Sequence, residues 1–567
     1  MIDHETSRPY HPNVQPVITA EQMRTIDRLT VEKAEITSLQ LMQRAAHACF
    51  HAIDAHFPRG LAGKKVLVLC GPGNNGGDGA ALAQELIRAG CAVDVVLLGS
   101  VANTRGDAYA NLEIVRDLAA SSAASLTFVE CHTASDWEAV AVRTQTFDVI
   151  VDALFGTGLK RPLAGIFAEA ANHLATLRHS EKTSGSASLI VSVDLPSGLN
   201  ADSANPIGPV VNADLTVTFT APKPANVLPP ASHLNGTLIV ADIGSPSALI
   251  DAADSQLFVI EEVDARKWLR STRYIPDSFK NSHGHVLLIA GSRGYTGAAV
   301  LSGNAAMQSG AGLVTIATPS SAQSSVAATA MPEVMTIALA ETDRGAISDD
   351  AVEHVLRLAS RATVTAIGPG LSSDDERTRR FVREVVKQRK TPIVIDADGL
   401  NCLAPWPSDL QRPAEFPLIL TPHPGEMLRL MGTTDKSALD DSVAAAREFA
   451  TNHHLILVLK GSRSLIAAPD GRVFITPTGS AGLGTAGAGD TLTGIIAGFI
   501  AQGAAGASGG FFDEADALFG VIAALFIGGL AGDFAARDLG MRAMVASDIC
   551  EYLSEAFLAL DPAGELP

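Results

Sequence analysis

Apolar runs of strand length alternate with amphipathic stretches along almost the whole chain, the pattern of parallel α/β sheets whose strands are covered on both faces. In the first half Lys65–Cys70, Ala92–Leu98, Leu126–Glu130, Asp148–Leu154, Leu189–Asp194, Leu215–Thr220 and Thr237–Ala241 read as strands. Helical stretches fall between them, at Gly79–Ala89 and Asp107–Ala119, and one helix over Thr19–Arg44 precedes the first strand. A second alternating series begins near residue 263, with strands at His285–Ala290, Val314–Ala317, Thr363–Ile367, Pro392–Asp396, Leu418–Leu420, Leu455–Lys460 and Val473–Thr476, then long closing helices. A chain of 567 residues exceeds one ordinary core, so two domains are expected. The expected partition is a flexible N-terminus 1–16, a domain 17–245, a linker 246–262 and a second domain 263–560.

Composition supports buried α/β layers: 47% of residues are hydrophobic, 18% are charged, and Gly (50) far outnumbers the rare aromatics. A formal charge of −19 with no basic run argues against nucleic acid, whose phosphates demand clustered Lys and Arg. The six cysteines form no Cys-x-x-Cys pair, so a disulfide framework or zinc site is not expected and a cytoplasmic location is. The opening MIDHETSRPYHPNVQPV lacks the pattern of a secretory signal. Residues 491–512 and 517–532 carry no charge, but glycines and Gln502 interrupt the first and acidic residues separate the two. Buried helices rather than membrane spans are therefore expected.

Three strand ends in the first domain carry polar loops. After Lys65–Cys70 comes Gly71-Pro-Gly-Asn-Asn-Gly-Gly-Asp-Gly79, leading into a helix whose unpaired amides suit phosphate. Gly71, Gly73 and Gly76 satisfy a dinucleotide fingerprint, yet the second strand ends Leu97-Leu98-Gly99-Ser100 without the acidic residue a dehydrogenase needs. A bare structural turn is the alternative for this loop, and a helix cap or turn the alternative for each Asp in Val151-Asp152-Ala-Leu-Phe-Gly156-Thr-Gly158 and Ser192-Val-Asp194-Leu-Pro-Ser197-Gly198. Ligands in open parallel sheets bind beyond the carboxyl ends of strands, where these three loops should converge.

NNGGDG, DALFGTGL and DLPSG, in this order over residues 15–245, resemble the NAD(P)H-hydrate epimerase family, with its Rossmann-like three-layer αβα fold. The resemblance implies that Asn74, Asn75, Gly76, Gly77 and Asp78 bind the hydrated nicotinamide nucleotide, together with Gly156, Thr157, Gly158, Leu159, Lys160, Arg161, Pro162 and Asp194. It further implies a potassium ion on Asn75, Asp152 and Ser197, and Asp194 as acid/base at the hydroxyl-bearing ring carbon.

In the second domain Gly482-Leu-Gly-Thr-Ala-Gly-Ala-Gly-Asp490 runs into a helix, so small residues expose amides to an anion and Asp490 sits beside it. A flexible turn before a buried helix is the alternative. Lys460-Gly-Ser-Arg-Ser464, Thr421-Pro-His423-Pro-Gly-Glu426 and Asp396-Ala-Asp398 occupy other strand ends; His423 alone reads as structural, and the two Asp read equally well as helix caps. GSRGYTGAA (291–299), GPGL (368–371), DADGLN (396–401), TPHPGE (421–426), KGS and GAGDTLTG resemble the ADP- or ATP-dependent NAD(P)H-hydrate dehydratases of the ribokinase-like superfamily, over residues 275–550. The resemblance implies hydrate contacts at Ala298, Gly370, His423 and Asp490, and adenine-nucleotide contacts at Lys460, Gly461, Ser462, Arg463, Ser464 and Gly489. Ser464 stands where the family usually has Thr, and Lys280-Asn replaces a commoner Lys-Gly.

The two resemblances imply paired repair of hydrated NADH and NADPH: epimerisation of R and S forms, then dehydration of the S form through phosphorylation of its hydroxyl and loss of phosphate. ADP is favoured over ATP, with Mg2+ accompanying it, and a homo-oligomer without membrane or nucleic-acid partners is expected. A ribokinase-like kinase of a vitamin precursor fused to a non-catalytic nucleotide-binding domain is the rival, and a dehydrogenase a distant third.

Overall fold

The computed structural model describes residues 14–121, 125–181, 188–408, 410, 416–507 and 512–561. Residues 1–13, the greater part of the expected flexible N-terminus, lie outside them. The chain divides into two compact units, Pro16–Ser255 and a second comprising Gln256–Pro567 with Met1–Gln15.

The N-terminal unit has seven parallel strands: β1 Lys65–Cys70, β2 Ala92–Leu98, β3 Leu126–Cys131, β4 Val149–Ala153, β5 Leu189–Val193, β6 Leu215–Phe219 and β7 Thr237–Ala241. Their order is β3-β2-β1-β4-β5-β6-β7, so the strand order reverses between β1 and β4. Successive side chains point to opposite faces. Val66 and Val68 pack against Ala80, Leu82 and Leu112 on one side, while Leu67 and Leu69 join the cluster of Trp137 and Leu174 on the other. Covering both faces explains why β1 reads as a continuous apolar run.

The single helix expected over Thr19–Arg44 is two helices, Ala20–Lys33 and Ser38–Asp54. Thr37 and Gln40 form a capping box that starts the second, after Glu35 has turned the chain with φ 55°. Thr19 and Gln22 cap the first helix in the same way. The helix expected from Gly79 begins five residues earlier, at Asn74, so the Asn-Asn-Gly-Gly-Asp segment is its first turn.

In the second unit β8 Leu257–Val259, β9 His285–Ile289, β10 Leu313–Pro319, β11 Met335–Leu339, β12 Val364–Ile367, β13 Ile393–Ile395, β14 Leu418–Leu420, β15 Ile456–Leu459, β16 Leu465–Ala467 and β17 Val473–Ile475 are consecutive in one sheet. They run β8-β17-β16-β15-β14-β13-β12-β9-β10-β11. Only the β15/β16 and β16/β17 pairs are antiparallel within this series. β8, β11 and β16 have no counterpart in the strands read from sequence. The stretch 246–262 contains the short helix Ser247–Asp251 and β8, which pairs with β17.

Helices Thr296–Gln308, Ala488–Gly506 and Glu514–Leu539 share one core with Val286, Leu288 and Phe474. Gly494 and Gly498 let two of them touch: a Cβ on Gly498 would lie 2.8 Å from that of Ser309. Among the described residues Glu514–Leu539 is the one helix long and apolar enough to cross a membrane, and 78% of its apolar window is buried inside the protein. Each Leu or Ile so buried stabilises the fold by about 1.5–3 kcal/mol.

Candidate active sites

The crevice at the β1/β4 reversal opens into a cleft of about 930 Å³. Its walls include Asn74, Asn75 and Asp78 from the loop and first helical turn after β1, Gly156–Gly158 after β4, and Asp194 after β5. Leu159, Lys160, Arg161 and Pro162 are not among the lining residues, and Gly76 and Gly77 are buried behind the wall. Asp194 adopts φ 66°, a left-handed conformation that costs a non-glycine residue about 1–3 kcal/mol and is retained where surroundings enforce it. Its amide donates to the Val217 carbonyl at 2.8 Å, which fixes that turn.

A buried cation engages the Asp194 carboxylate. Lys223 Nζ donates to Asp194 Oδ1 at 2.6 Å, to Thr218 Oγ1 at 2.9 Å and to the Phe219 carbonyl at 3.1 Å, so all three ammonium protons are used. Thr218 Oγ1 donates to the same Oδ1 at 3.0 Å. The Lys223 side chain is 1% exposed, a burial that a lysine tolerates only when fully paired. Asp27, Glu32, Asp78 and Asp107 also line the cleft, and two of them are perturbed. Burial pushes Asp27 up to about 6, with Lys223 opposing the rise and Asp194 adding to it. Burial, then the charges of Asp194 and Asp27, push Asp78 well above the usual carboxylate range.

Asp152 is fully buried at the end of β4. Its Oδ2 accepts from Ser192 Oγ at 2.8 Å and from the Ser197 amide at 2.8 Å, and burial raises its pKa. No cation pairs with it among the described residues. The Phe155 amide donates to Ser197 Oγ at 2.8 Å, and a Cβ on Gly156 would lie 3.0 Å from both Asn75 Oδ1 and Asp194 Oδ2. The loop Leu154–Gly156 thus touches Asp152, Ser197 and Asn75, gathering oxygen donors around an uncompensated carboxylate. Asn75 Nδ2 is buried without a hydrogen-bond partner among the described residues.

In the second unit the turn before helix Ala488–Gly506 places Gly487 at φ 88°. Glycine alone enters this conformation without penalty, and a Cβ there would lie 2.5 Å from Leu301 Cδ1 of the neighbouring helix. The first helical turn then carries Gly489 and Asp490. Asp396 Oδ1 accepts from Lys460 Nζ at 2.7 Å and Oδ2 accepts from Thr493 Oγ1 at 2.7 Å. Asp396 occupies the N-cap of helix Ala397–Leu403 but makes no side-chain cap bond, which rules out the capping role left open for it. Asp398 instead accepts from the Ser372 amide at 2.9 Å. Burial would lower Lys460, but Asp396, then Glu426 at 3.9 Å, outweigh it and hold the amine above its ordinary value. Burial and the Asp396 charge push Asp490 up to about 6, against the pull of Lys460.

Lys460, Gly461, Ser462, Ser464 and Gly489 line a second cavity of about 440 Å³, walled by Leu483, Leu492, Ile495, Leu525 and Ile549. Arg463 is not among its lining residues. Lys460 Nζ would lie 3.3 Å from a Cβ on Gly489, so the lysine spans from this cavity to the carboxylates beyond the turn. Ala298, in the first turn of helix Thr296–Gln308 after β9, and Gly370, in the turn after β12, face each other: a Cβ on Gly370 would lie 3.0 Å from that of Ala298. His423 is the N-cap of helix Pro424–Leu430: its Nδ1 accepts from the Gly425 amide at 3.0 Å, leaving Nε2 as the protonated nitrogen of the neutral ring. The structural part His423 plays is therefore real, and its outer edge stays exposed.

Family models match both units: "YjeF-related protein N-terminus" over residues 38–225 and "NAD(P)H-hydrate dehydratase" over 286–555. A bifunctional NAD(P)H-hydrate repair enzyme of Moorella thermoacetica is 40% identical over 541 residues, covering 95% of this chain and 96% of the relative. The chain belongs to the bifunctional NAD(P)H-hydrate repair enzymes. The repair enzyme of Escherichia coli K12 is 31% identical, covering 98% of this chain and 96% of its own. Among solved structures, the ADP/ATP-dependent NAD(P)H-hydrate dehydratase of Bacillus subtilis, co-crystallized with ATP/Mg2+, is 28% identical, covering 53% of this chain and 98% of its own, with TM-score 0.45.

Three residues of this repair enzyme's sites escaped the reading of motifs. Lys223 lies between two prolines just past β6, a weak signal that a side chain is held there. Thr493 sits inside GAGDTLTG but reads as an ordinary helical residue, and Asp27 is one of several charges on helix Ala20–Lys33. Gly156 offers a direct test of the cleft. Gly156→Ala places a methyl group between Asn75 Oδ1 and Asp194 Oδ2, displacing one of them. Conversion of the R hydrate should fall by about 10²-fold, the cost of a 1 Å misplacement, while dehydration of the S hydrate stays unchanged. Equal R-hydrate rates for variant and wild type would remove this loop from the site.

Proposed function

We propose that the N-terminal unit interconverts R and S hydrates of NADH and NADPH, and that the C-terminal unit dehydrates the S form using ADP or ATP. The observation that carries the reading is the Asp490 turn. A carboxyl poised near 6 stands at a helix start beside amides suited to phosphate, with Lys460 joining it to a cavity fit for an adenine nucleotide. On this reading Lys460–Ser464 and Gly489 hold the nucleotide, its base against the apolar wall, and Ala298, Gly370, His423 and Asp490 hold the hydrate. Asp490 takes the proton of the hydrate's hydroxyl as that oxygen attacks the terminal phosphorus, and the shortened nucleotide leaves with the electron pair of the P–O bond that breaks. The turn's amides and Lys460 stabilise the charge on the transferring phosphoryl group. Phosphate then departs with the C–O electron pair far more readily than hydroxide, the neighbouring ring carbon gives up its proton to solvent, and that C–H electron pair restores the ring double bond. Mg2+ travels with the nucleotide and neutralises its phosphates when bound.

In the N-terminal cleft Asn74, Asn75, Asp78 and Gly156–Gly158 cradle the nucleotide and Asp194 serves proton transfer at the hydroxyl-bearing carbon. Asn75, Asp152 and Ser197 would hold potassium, which supplies the positive charge that buried Asp152 lacks. Replacing potassium by choline should therefore slow epimerisation; an unchanged rate would refute the ion site.

Against the kinase alternative stands the coverage of both units by repair-enzyme relatives. The decisive experiment incubates mixed R and S hydrates with ADP or ATP and follows reduced-coenzyme absorbance. Complete return is expected. A stop at the S fraction would refute the epimerase half, no return with either nucleotide the dehydratase half. A stable phosphorylated product without phosphate release would support the kinase.

A further inference from the structure

The cleft of the N-terminal unit holds more proton-handling groups than the family motifs carry. Asp194 is presented as an acceptor: Lys223 and Thr218 both donate to Oδ1, and only Oδ2 turns towards Gly156 and the cleft. Inverting a carbon that bears both a hydroxyl and the ring nitrogen needs a donor as well as an acceptor, because the hydroxyl departs as water only if it is protonated.

We propose that Asp27 of helix Ala20–Lys33 is that donor, working with Asp194 as the acceptor and Lys223 as the residue that positions Asp194. The assignment rests on the epimerase reading of this cleft. Asp27 lines the same cleft as Asp194 and Lys223, and its carboxyl makes no hydrogen bond or ion pair among the described residues. The other acidic groups on the wall are less suited. Glu32 is committed to Arg28 at 2.9 and 3.0 Å. Asp78 parts with a proton less readily, because burial and then the charges of Asp194 and Asp27 raise it well above the usual carboxylate range. Asp107 lies outside the cluster in which Asp27, Asp78, Asp194 and Lys223 feel one another. Asp27 sits at about 6, near the working pH, where a group both gives and regains a proton readily.

The step balances without a further reactant. Asp27 gives its proton to the hydroxyl oxygen, the C–O bond breaks with its electron pair on that oxygen, and water leaves. The ring nitrogen's lone pair forms the N=C bond. Water then adds to the other face of that carbon, the N=C pair returns to nitrogen, and the added water's proton passes to Asp194. Exchange with solvent restores both carboxyls, and the reverse reaction runs the same path with donor and acceptor exchanged.

The test uses the full chain as Asp27→Asn and Asp27→Glu, with R hydrate for epimerisation and S hydrate with ADP for the untouched second site. Asp27→Asn should lower the epimerisation kcat by about 10²–10⁴-fold, with KM within about threefold of wild type and S-hydrate dehydration unchanged. Asp27→Glu, which keeps a donor, should recover much of that loss. An Asn variant within about threefold of the wild-type kcat, or one altered in KM alone, overturns the assignment. Equal losses in both variants overturn it too, since they would report helix packing. If wild type itself fails to convert the R hydrate, the epimerase reading falls, a result separable from a healthy wild type with a healthy Asn variant.

Discussion

Asp490→Asn should lower the kcat for dehydration of the S hydrate by about 10²–10⁴-fold while leaving epimerisation intact. Asn keeps the size and the helix start but cannot accept the hydroxyl proton. The same carboxyl sets the pH dependence. Burial and the neighbouring Asp396 charge raise it to about 6, so its ionised, proton-accepting form dominates above that pH and is lost below it. Wild-type kcat should therefore fall about tenfold for each unit of pH below 6, and the Asn variant should lose that limb. Stopped measurements of reduced coenzyme between pH 5 and 8 would check both statements. A variant that retains wild-type kcat, or one whose acidic limb survives, removes Asp490 from the proton transfer.

The second large effect concerns the lysine behind the turn. Lys460→Met leaves Asp396, 1% exposed, with Thr493 Oγ1 as its remaining side-chain partner among the described residues and strips a cation from Glu426 and Asp490. Removing one partner of a buried pair costs about 3–5 kcal/mol, because the surviving charge is stranded in a poor solvent. The C-terminal unit should unfold at a distinctly lower temperature, and the nucleotide should bind more weakly. Losing Lys460 also removes the one influence that holds Asp490 down, so the acidic limb of the pH profile should move upward. Lys460→Met with Asp396→Asn should recover much of the stability but not the nucleotide affinity. Calorimetry of the single and double variants separates the two roles. A single variant that melts with wild type would show that the pair carries no structural weight.

Much of the architecture was legible because it is local. Continuous apolar runs such as Lys65–Cys70 follow directly from a sheet covered on both faces, and that periodicity survives in the bare sequence. The strands that escaped notice are short or poorly patterned: Leu257–Val259 and Leu465–Ala467 have three residues each, and Met335–Leu339 is an edge strand with an exposed start. Glycine-rich loops at strand ends were legible for the same local reason, since a left-handed Gly487 or a close-packed Gly156 leaves its mark at one position. The break at Glu35 was not, because Thr37 and Gln40 read as ordinary residues within a longer helical pattern.

By itself, then, the sequence determined two parallel α/β units, the loops that crown their strands, and the family likeness carried by those loops. Only the tertiary structure decided which charges share a buried space. Lys223 meets Asp194 across 29 residues, Lys460 meets Asp396 across 64, and Thr493 meets Asp396 across 97. Such pairs leave no periodicity in the chain, because a buried charge depends on whatever donor the fold brings within about 3 Å of it. The readiness of Asp27 and Asp490 to carry a proton follows from that enclosure, since loss of water around a carboxyl, rather than its neighbours in sequence, is what lifts it towards neutrality.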